Sequence, residues 1–158
     1  MKYNFVSPLY DYVFSEIFGN QRNIENTKAF LKTLLDIPAD DYNKLTVVNP
    51  ILKKFFRSQK TGVVDLKLTT KSGRIIHVEL QIEKKSNFKN RIVYYLVRLI
   101  SDQLNWGEDY NKLHQVISIV ICDHILLEEE NPSQHCHLYF QTCSLYYLML
   151  RQFLLYLM

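Results

Sequence analysis

A hairpin pattern between Val63 and Glu83 constrains the fold of this chain more than any other stretch. Apolar and polar residues alternate on both sides of the segment Lys71-Ser72-Gly73, and a period of two is typical of β-strands with one apolar and one polar face. The predicted apolar face carries Val64, Leu66, Leu68, Val78, Leu80 and Ile82. The predicted polar face carries Asp65, Lys67, His77, Glu79 and Gln81. The sequence therefore predicts two paired strands that bring several polar side chains together on one face.

The length of the turn decides which polar side chains meet. A three-residue hairpin loop commonly ends in Gly, because its last position has a positive φ angle that Gly adopts without steric cost. This loop places Asp65 opposite Glu79, and it places Lys67 opposite His77. A two-residue Ser-Gly turn would instead mix the apolar and polar faces. Opposed side chains have Cβ atoms roughly 5 Å apart, and two carboxylates at that distance repel unless a cation lies between them. We therefore expect the three-residue loop and a paired site of two carboxylates.

The remaining elements are predicted from periodicity and from helix stop signals. Three helices are expected, the first opened by Ser7-Pro8 and ended by Gly19, the second over 23–36 and the third over 87–106. Short strands are expected over 45–48 and 116–122, whereas 51–61 is compatible with a strand or a loop. The strand over 116–122 is β-branched and nearly continuous, which is typical of a strand covered on both faces. A helix between strands indicates a crossover onto the same sheet, so we expect an α/β (α+β) fold with a mixed central sheet and flanking helices.

Composition limits the function classes. The 158 residues favour one main domain. The net charge of +3 permits a nucleic-acid partner, and the basic residues concentrated over 43–91 form either a solvated rim or a phosphate-facing surface. Three cysteines without C-x-x-C spacing indicate no disulfide framework and no zinc pattern, which fits a reducing, cytoplasmic environment. Neither a signal peptide nor a run of about 18 apolar residues occurs, so no membrane partner is expected.

An acid on one strand and Glu-x-Gln on its neighbour suit a hard divalent cation. Mg²⁺ takes oxygen ligands, usually one or two carboxylates, and keeps several waters. A metal held there can polarise a phosphodiester and supply hydroxide. Alternating acids on a strand are also typical of a solvated face, so the pattern by itself leaves both interpretations open.

Several blocks of sequence, spread between about residues 5 and 130, strengthen the metal-site interpretation. They are DYVFSEIFG from residue 11, VDLKL around residue 65, KSGRIIHVELQ up to residue 81, RIVYYLVRLISDQL from residue 91, and VISIVI from residue 116. In order and spacing they resemble the Rpn family of recombination-promoting nucleases and transposases, within the PD-(D/E)XK nuclease superfamily. The resemblance implies a restriction-endonuclease-like core and a metal-dependent DNA endonuclease associated with transposition or recombination. DNA is the implied partner, and a homo-oligomer is compatible with the sequence.

The resemblance also implies roles for individual residues. Asp65 and Glu79 match the family's metal-binding acids, with Mg²⁺ or another hard divalent cation as the cofactor. Gln81 completes the implied catalytic set, but it stands where the wider superfamily often has a catalytic Lys. An amide can orient a water molecule, whereas it cannot supply positive charge to the transition state. This exchange favours an alternative function, a catalytically inactive and degenerate nucleic-acid-binding remnant of such a nuclease.

Three further residues are candidate members of the site. Lys67 lies on the predicted polar face and is a candidate substitute for the missing Lys. Asp11 matches an acid of the family's first helix that can reach the metal through water. Arg91, near the start of the third helix, matches a position whose side chain can approach phosphate.

The end of the chain differs in composition from the rest. After Asn131 there is no acid, and Arg151 is the only Lys or Arg. We therefore expect a nuclease-like domain over 1–134 and an atypical apolar tail over 135–158, derived from a truncated gene copy or a shifted reading frame. Within the tail, 135–141 alternates like a strand, whereas 144–158 is compatible with a helix of low polarity or a poorly specified end. An exposed apolar tail would also suit a third function, the binding of another protein.

Overall fold

The computed structural model describes residues 10–48 and 65–122, together with the backbone of 143–149. The helices are α1 (Asp11–Phe18), α2 (Ile24–Leu34) and α3 (Phe88–Ser101), and short 3₁₀ turns cover Gln21–Asn23, Ala39–Lys44 and Tyr110–Lys112. The strands are β1 (Thr46–Val47), β2 (Leu66–Thr69), β3 (Ile75–Gln81), β4 (Val116–Cys122) and β5 (Cys143–Met149). They form one sheet in the order β1-β2-β3-β4-β5. The first two pairings are antiparallel and the last two are parallel, so the predicted α/β class with a mixed sheet is confirmed.

The central hairpin has the predicted register. Lys67 pairs with His77. Leu66, the residue that follows Asp65, pairs with Val78, the residue that precedes Glu79. Gly73 has a φ angle of +87°, which places it in the left-handed region that Gly adopts without a Cβ clash. Thr70 donates its N–H to the carbonyl of Arg74 at 3.0 Å, which closes the three-residue loop. The last loop position therefore fixes which residues of the two strands are opposed.

Asp41 holds this loop from outside the hairpin. Its carboxylate accepts hydrogen bonds from the backbone N–H and the hydroxyl of Ser72, at 3.2 and 3.0 Å. It also forms an ion pair with Arg74. Asp41 is buried, so these charged hydrogen bonds are shielded from water. The turn that sets the register is thus anchored to the segment between α2 and β1.

The sheet is covered on both faces by helices. On one face, the apolar side chains of the hairpin and of β4 pack against α1 and α2, with Phe14, Phe30 and Leu31 at the contact. On the other face, α3 packs in two apolar groups, one around Leu99 and one around Phe88. All seven residues of β3 are buried. The polar face of β3 therefore lies beneath α3, inside the protein, and a solvated face is excluded for this strand.

Two predicted helix boundaries are wrong. The first helix begins at Asp11 rather than at Ser7-Pro8, because Tyr10 is extended with φ −74° and ψ 130°. The third helix ends at Ser101 rather than near residue 106. Beyond that point the Gln103 side chain donates to the carbonyl of His114 and accepts from its N–H, so it ties the chain to the segment before β4. No helix in the described ranges is both long enough and apolar enough to cross a membrane.

The apolar tail contributes a strand rather than a helix over Cys143–Met149. This strand, β5, runs parallel to β4 and pairs with it along its whole length, from Val116 opposite Cys143 to Cys122 opposite Met149. The buried β4 needs partners for the backbone groups on its second edge, and an apolar strand supplies them. The predictions for 51–61 and 135–141 lie outside the described residues. The domain boundary at residue 134 stays a prediction.

Candidate active site

A pocket of about 620 Å³ lies at the carboxyl end of β3. It is lined by Tyr10, Asp11, Asp65, Glu79, Leu80, Gln81, Ile82, Glu83, Lys85 and Arg91. The site residues proposed from the sequence are therefore brought together, with one exception. Lys67, on β2 opposite His77, is half-buried and is not among the residues that line this pocket.

The hairpin register brings Asp65 against the end of β3. Its carboxylate accepts the backbone N–H of Leu80 at 2.7 Å, and its own N–H lies 3.5 Å from a carboxylate oxygen of Glu79. Burial of the carboxylate, together with the neighbouring charge of Glu79, raises the pKa of Asp65 to about 6, although the Leu80 hydrogen bond acts in the opposite direction. The residue as a whole is exposed, whereas its carboxylate is the part held against Leu80. An acid with this pKa indicates a place where extra negative charge is unfavourable and a cation is favoured.

Glu79 is buried, and both of its oxygen atoms have partners. Arg91 contacts Oε1 at 3.0 Å, and His77 Nε2 contacts Oε2 at 3.3 Å. The other ring nitrogen of His77, Nδ1, lies 2.9 Å from Ser118 Oγ. Ser118 is not among the residues that the sequence predicts for this arrangement. Its signal is a single hydroxyl in the otherwise apolar strand VISIVIC.

Arg91 supplies the positive charge at this end of the sheet. It lies in the first turn of α3, and its Nη2 donates to Gln81 Oε1 at 2.6 Å as well as contacting Glu79. Its guanidinium carbon is 5.0 Å from the centre of the Phe88 ring, which holds the side chain from the other side. The amide nitrogen of Gln81 donates to the carbonyl of Glu83 at 2.5 Å. The cation Arg91 thus contacts Gln81, which stands where the wider superfamily often has Lys, but Arg91 belongs to α3 and not to the strand.

The donor set suits a hard cation with few protein ligands. Asp65 and Glu79 offer carboxylate oxygens on adjoining strand ends, and Asp11 is a third acid of the pocket whose charge also raises the pKa of Asp65. Within 10–48 and 65–122, no group of three or more His, Cys, Asp or Glu side chains is arranged to hold a metal ion. Mg²⁺ is usually bound through only one or two carboxylates, with water at its other positions. The pair therefore fits Mg²⁺ better than a metal that needs a full set of protein ligands.

Comparison with known families gives an independent finding. A family model described as PD-(D/E)XK nuclease family transposase matches residues 8–150 of the 158-residue chain. Comparisons with curated proteins and with solved structures gave no match. The matched range contains every element from α1 to β5 and all of the candidate site residues. The family resemblance drawn from the sequence blocks is confirmed.

Proposed function

We propose that this chain, which belongs to the PD-(D/E)XK nuclease family transposases, is a metal-dependent DNA endonuclease. The reaction is hydrolysis of a phosphodiester bond during transposition or recombination. The observation that carries the proposal is the pairing of Asp65 with Glu79 in one pocket, where the pKa of Asp65 is raised to about 6. Burial is the larger cause of this rise and repulsion by Glu79 the second, and a divalent cation between the two carboxylates would offset the repulsion.

Asp65 and Glu79 are the proposed metal ligands. Once bound, Mg²⁺ would supply a Lewis acid for the phosphate and lower the pKa of a coordinated water. Asp65 is fixed for this role by the N–H of Leu80, and Glu79 is fixed by its contacts on both oxygens. Asp11 lines the same pocket and would accept a hydrogen bond from a water of the metal.

Arg91 and Lys85 are the proposed phosphate contacts of the pocket. Arg91 carries a planar group of donors that matches phosphate oxygens, and it is always charged. Lys85 lines the same pocket, and its Nζ lies 3.9 Å from a carboxylate oxygen of Glu83. Gln81 holds the Arg91 side chain through its carbonyl oxygen. We propose that Gln81 acts mainly by orienting this cation, in addition to the water-orienting role that its amide suggests.

The second candidate function is DNA binding without hydrolysis. One contact favours it, because Arg91 already neutralises Glu79 and thereby competes with a metal for the same carboxylate. In that case the basic side chains still contact phosphate, and the acids serve only to hold them in place.

Nicking of supercoiled plasmid by the purified chain with Mg²⁺ separates the two functions. We expect nicking by the unmodified protein, loss of on the order of 100-fold in rate for Asp65→Ala, and no loss for Glu25→Ala. Glu25 is an exposed acid of α2 whose carboxylate pairs with Lys28, so its replacement removes a charge without touching the pocket. Equal nicking by the Asp65 variant would remove this residue from the mechanism. DNA binding without nicking by the unmodified protein would establish the second function instead.

A further inference from the structure

A chain of buried hydrogen bonds crosses the sheet behind the pocket. Ser118 Oγ lies 2.9 Å from His77 Nδ1, and His77 Nε2 lies 3.3 Å from Glu79 Oε2. His77 and Ser118 are 0 % exposed and Glu79 is 3 % exposed. Only Glu79 of the three lines the pocket. Ser118 and His77 can therefore reach bound ligands only through Glu79.

The sheet topology creates this chain. His77 and Glu79 are two residues apart on β3, so their side chains share a face. The parallel register places Ser118 of β4 directly beside His77. On the helix side the ring of His77 meets Tyr95 edge-on, with 6.1 Å between ring centres. The ring thus has a packed neighbour and a polar partner at each nitrogen.

The donors and acceptors of the chain can be assigned from its ends. A carboxylate can only accept, so Nε2 carries the hydrogen that points to Glu79. In the neutral ring Nδ1 then has a lone pair, and the hydroxyl of Ser118 donates to it. Two polar side chains buried in the protein interior are unfavourable unless they are hydrogen-bonded. Here Ser118 donates to His77, and His77 donates to the carboxylate of Glu79.

We propose that His77, held by Ser118, is a positioning residue for the metal ligand Glu79. This inference rests on the proposed function, because it assigns His77 to the same site. The imidazole fixes Oε2 of Glu79 from inside the protein and thereby sets the direction of the carboxylate toward the pocket. Hydrogen bonds of this kind behind a metal ligand typically change metal affinity or activity by about 10–100-fold when they are removed.

The test measures Mn²⁺ binding by isothermal titration calorimetry on the full chain without DNA, so it does not depend on cleavage. His77→Leu removes both ring nitrogens, and we expect its Mn²⁺ affinity to fall by about 10–100-fold. His77→Gln retains an N–H donor near the position of Nε2 and should recover most of the affinity. Ser118→Ala keeps the ring and should show a smaller loss. In cleavage assays the KM for DNA should stay unchanged in these variants while kcat falls, because neither residue lines the pocket.

Leu99→Ala is the matched control for a purely structural effect. Leu99 is buried under α3 beside Ile75 and Val116, and its side chain has no polar atom that could take part in the hydrogen bonds of Ser118, His77 and Glu79. This variant should lower the melting temperature and leave Mn²⁺ affinity unchanged. If both the His77 and the Leu99 variants lose affinity in proportion to their lost stability, His77 has only a structural role and the inference is overturned.

The remaining outcomes separate this inference from the proposed function. Unchanged Mn²⁺ affinity in His77→Leu overturns the positioning role and leaves the proposed nuclease intact. Absence of Mn²⁺ binding by the unmodified chain overturns the proposed function, and the inference falls with it. If His77→Leu does not fold, Ser118→Ala decides between the outcomes. Weaker Mn²⁺ binding with an unchanged circular dichroism spectrum supports the positioning role of His77, and unchanged Mn²⁺ binding refutes it.

Discussion

Replacing Asp65 by Asn should stabilise the metal-free protein at neutral pH. Asn keeps an oxygen that can accept the N–H of Leu80, and it removes the negative charge beside Glu79. The charge is unfavourable in the folded state, because burial and the neighbouring carboxylate both raise the pKa of Asp65. The Asp65→Asn variant should thus be more stable than the unmodified protein and less active.

The size of the effect follows from the pKa of Asp65. A rise from 3.8 to about 6 corresponds to an upper limit of about 3 kcal/mol, at 1.36 kcal/mol per pKa unit. Because Asp65 is exposed as a residue, solvent screening reduces this free energy to roughly 1.5 kcal/mol. For a chain of this size the melting temperature of the Asn variant should exceed that of the unmodified protein by roughly 3–6 °C.

The sign of the effect depends on pH in a defined window. A carboxyl group whose folded-state pKa is raised stabilises the protein fully below its unfolded pKa, and this stability is lost as pH rises through the folded value. The window for Asp65 therefore runs from about 3.8 to about 6. The advantage of Asn should be complete at about pH 7.5 and nearly absent at about pH 4.

Thermal unfolding followed by circular dichroism, with a chelator present, measures this difference. Adding Mg²⁺ at neutral pH should raise the melting temperature of the unmodified protein and should not raise that of Asp65→Asn. An Asn variant that is less stable than the unmodified protein at neutral pH, or equally shifted at both pH values, would refute the reasoning.

Two further predictions concern the charge and the turn of the site. Arg91→Met leaves the buried Glu79 without its cation, so the free energy of unfolding measured by urea denaturation should fall by about 2 kcal/mol. This loss is below the range for fully buried ion pairs because Arg91 is partly exposed. Unchanged stability would mean that this ion pair contributes nothing. Gly73→Ala places a Cβ in a left-handed position 2.7 Å from the ring of His114, whereas Gly107→Ala has a similar φ and no atom within 4 Å. Both should lose about 1–2 kcal/mol for the backbone strain, and only the first should lose more by displacing the ring; equal losses in denaturant midpoint would show that His114 does not restrict the turn.

The hairpin and its register were predictable because they depend on local rules. Alternation with a period of two assigns the faces, and a Gly at the end of the loop selects the turn length. Together these place Asp65 at the end of the strand pair, next to Glu79, without knowledge of the rest of the chain. The strand Val116–Cys122 was predictable for a similar reason, since its apolar and β-branched run leaves few other structures.

The partners of the polar face were not predictable from the same rules. Whether β3 is solvated or buried depends on the docking of α3, which involves residues distant in sequence. The contact of Arg91 with Gln81 and that of Ser118 with His77 arise only once that helix and β4 are in place. The strand over Cys143–Met149 was missed because low polarity without clear alternation does not distinguish a strand from a helix.

Several properties stay predictions. They include the identity of the metal, the cytoplasmic location, a homo-oligomeric state and the origin of the tail. The role of Lys67 is also a prediction, and its place outside the pocket gives Arg91 the stronger case as the cation of the site.

Anomalous scattering from crystals soaked in Mn²⁺ would locate the metal without an activity assay. We expect a peak between Asp65 and Glu79, with metal–oxygen distances of about 2.1 Å to at least one oxygen of each carboxylate. We also expect Arg91 to move away from the Glu79 oxygen that it contacts in this structure. A peak elsewhere, or none at the pair while the Arg91–Glu79 contact persists, would contradict the assignment of this pocket as a nuclease site.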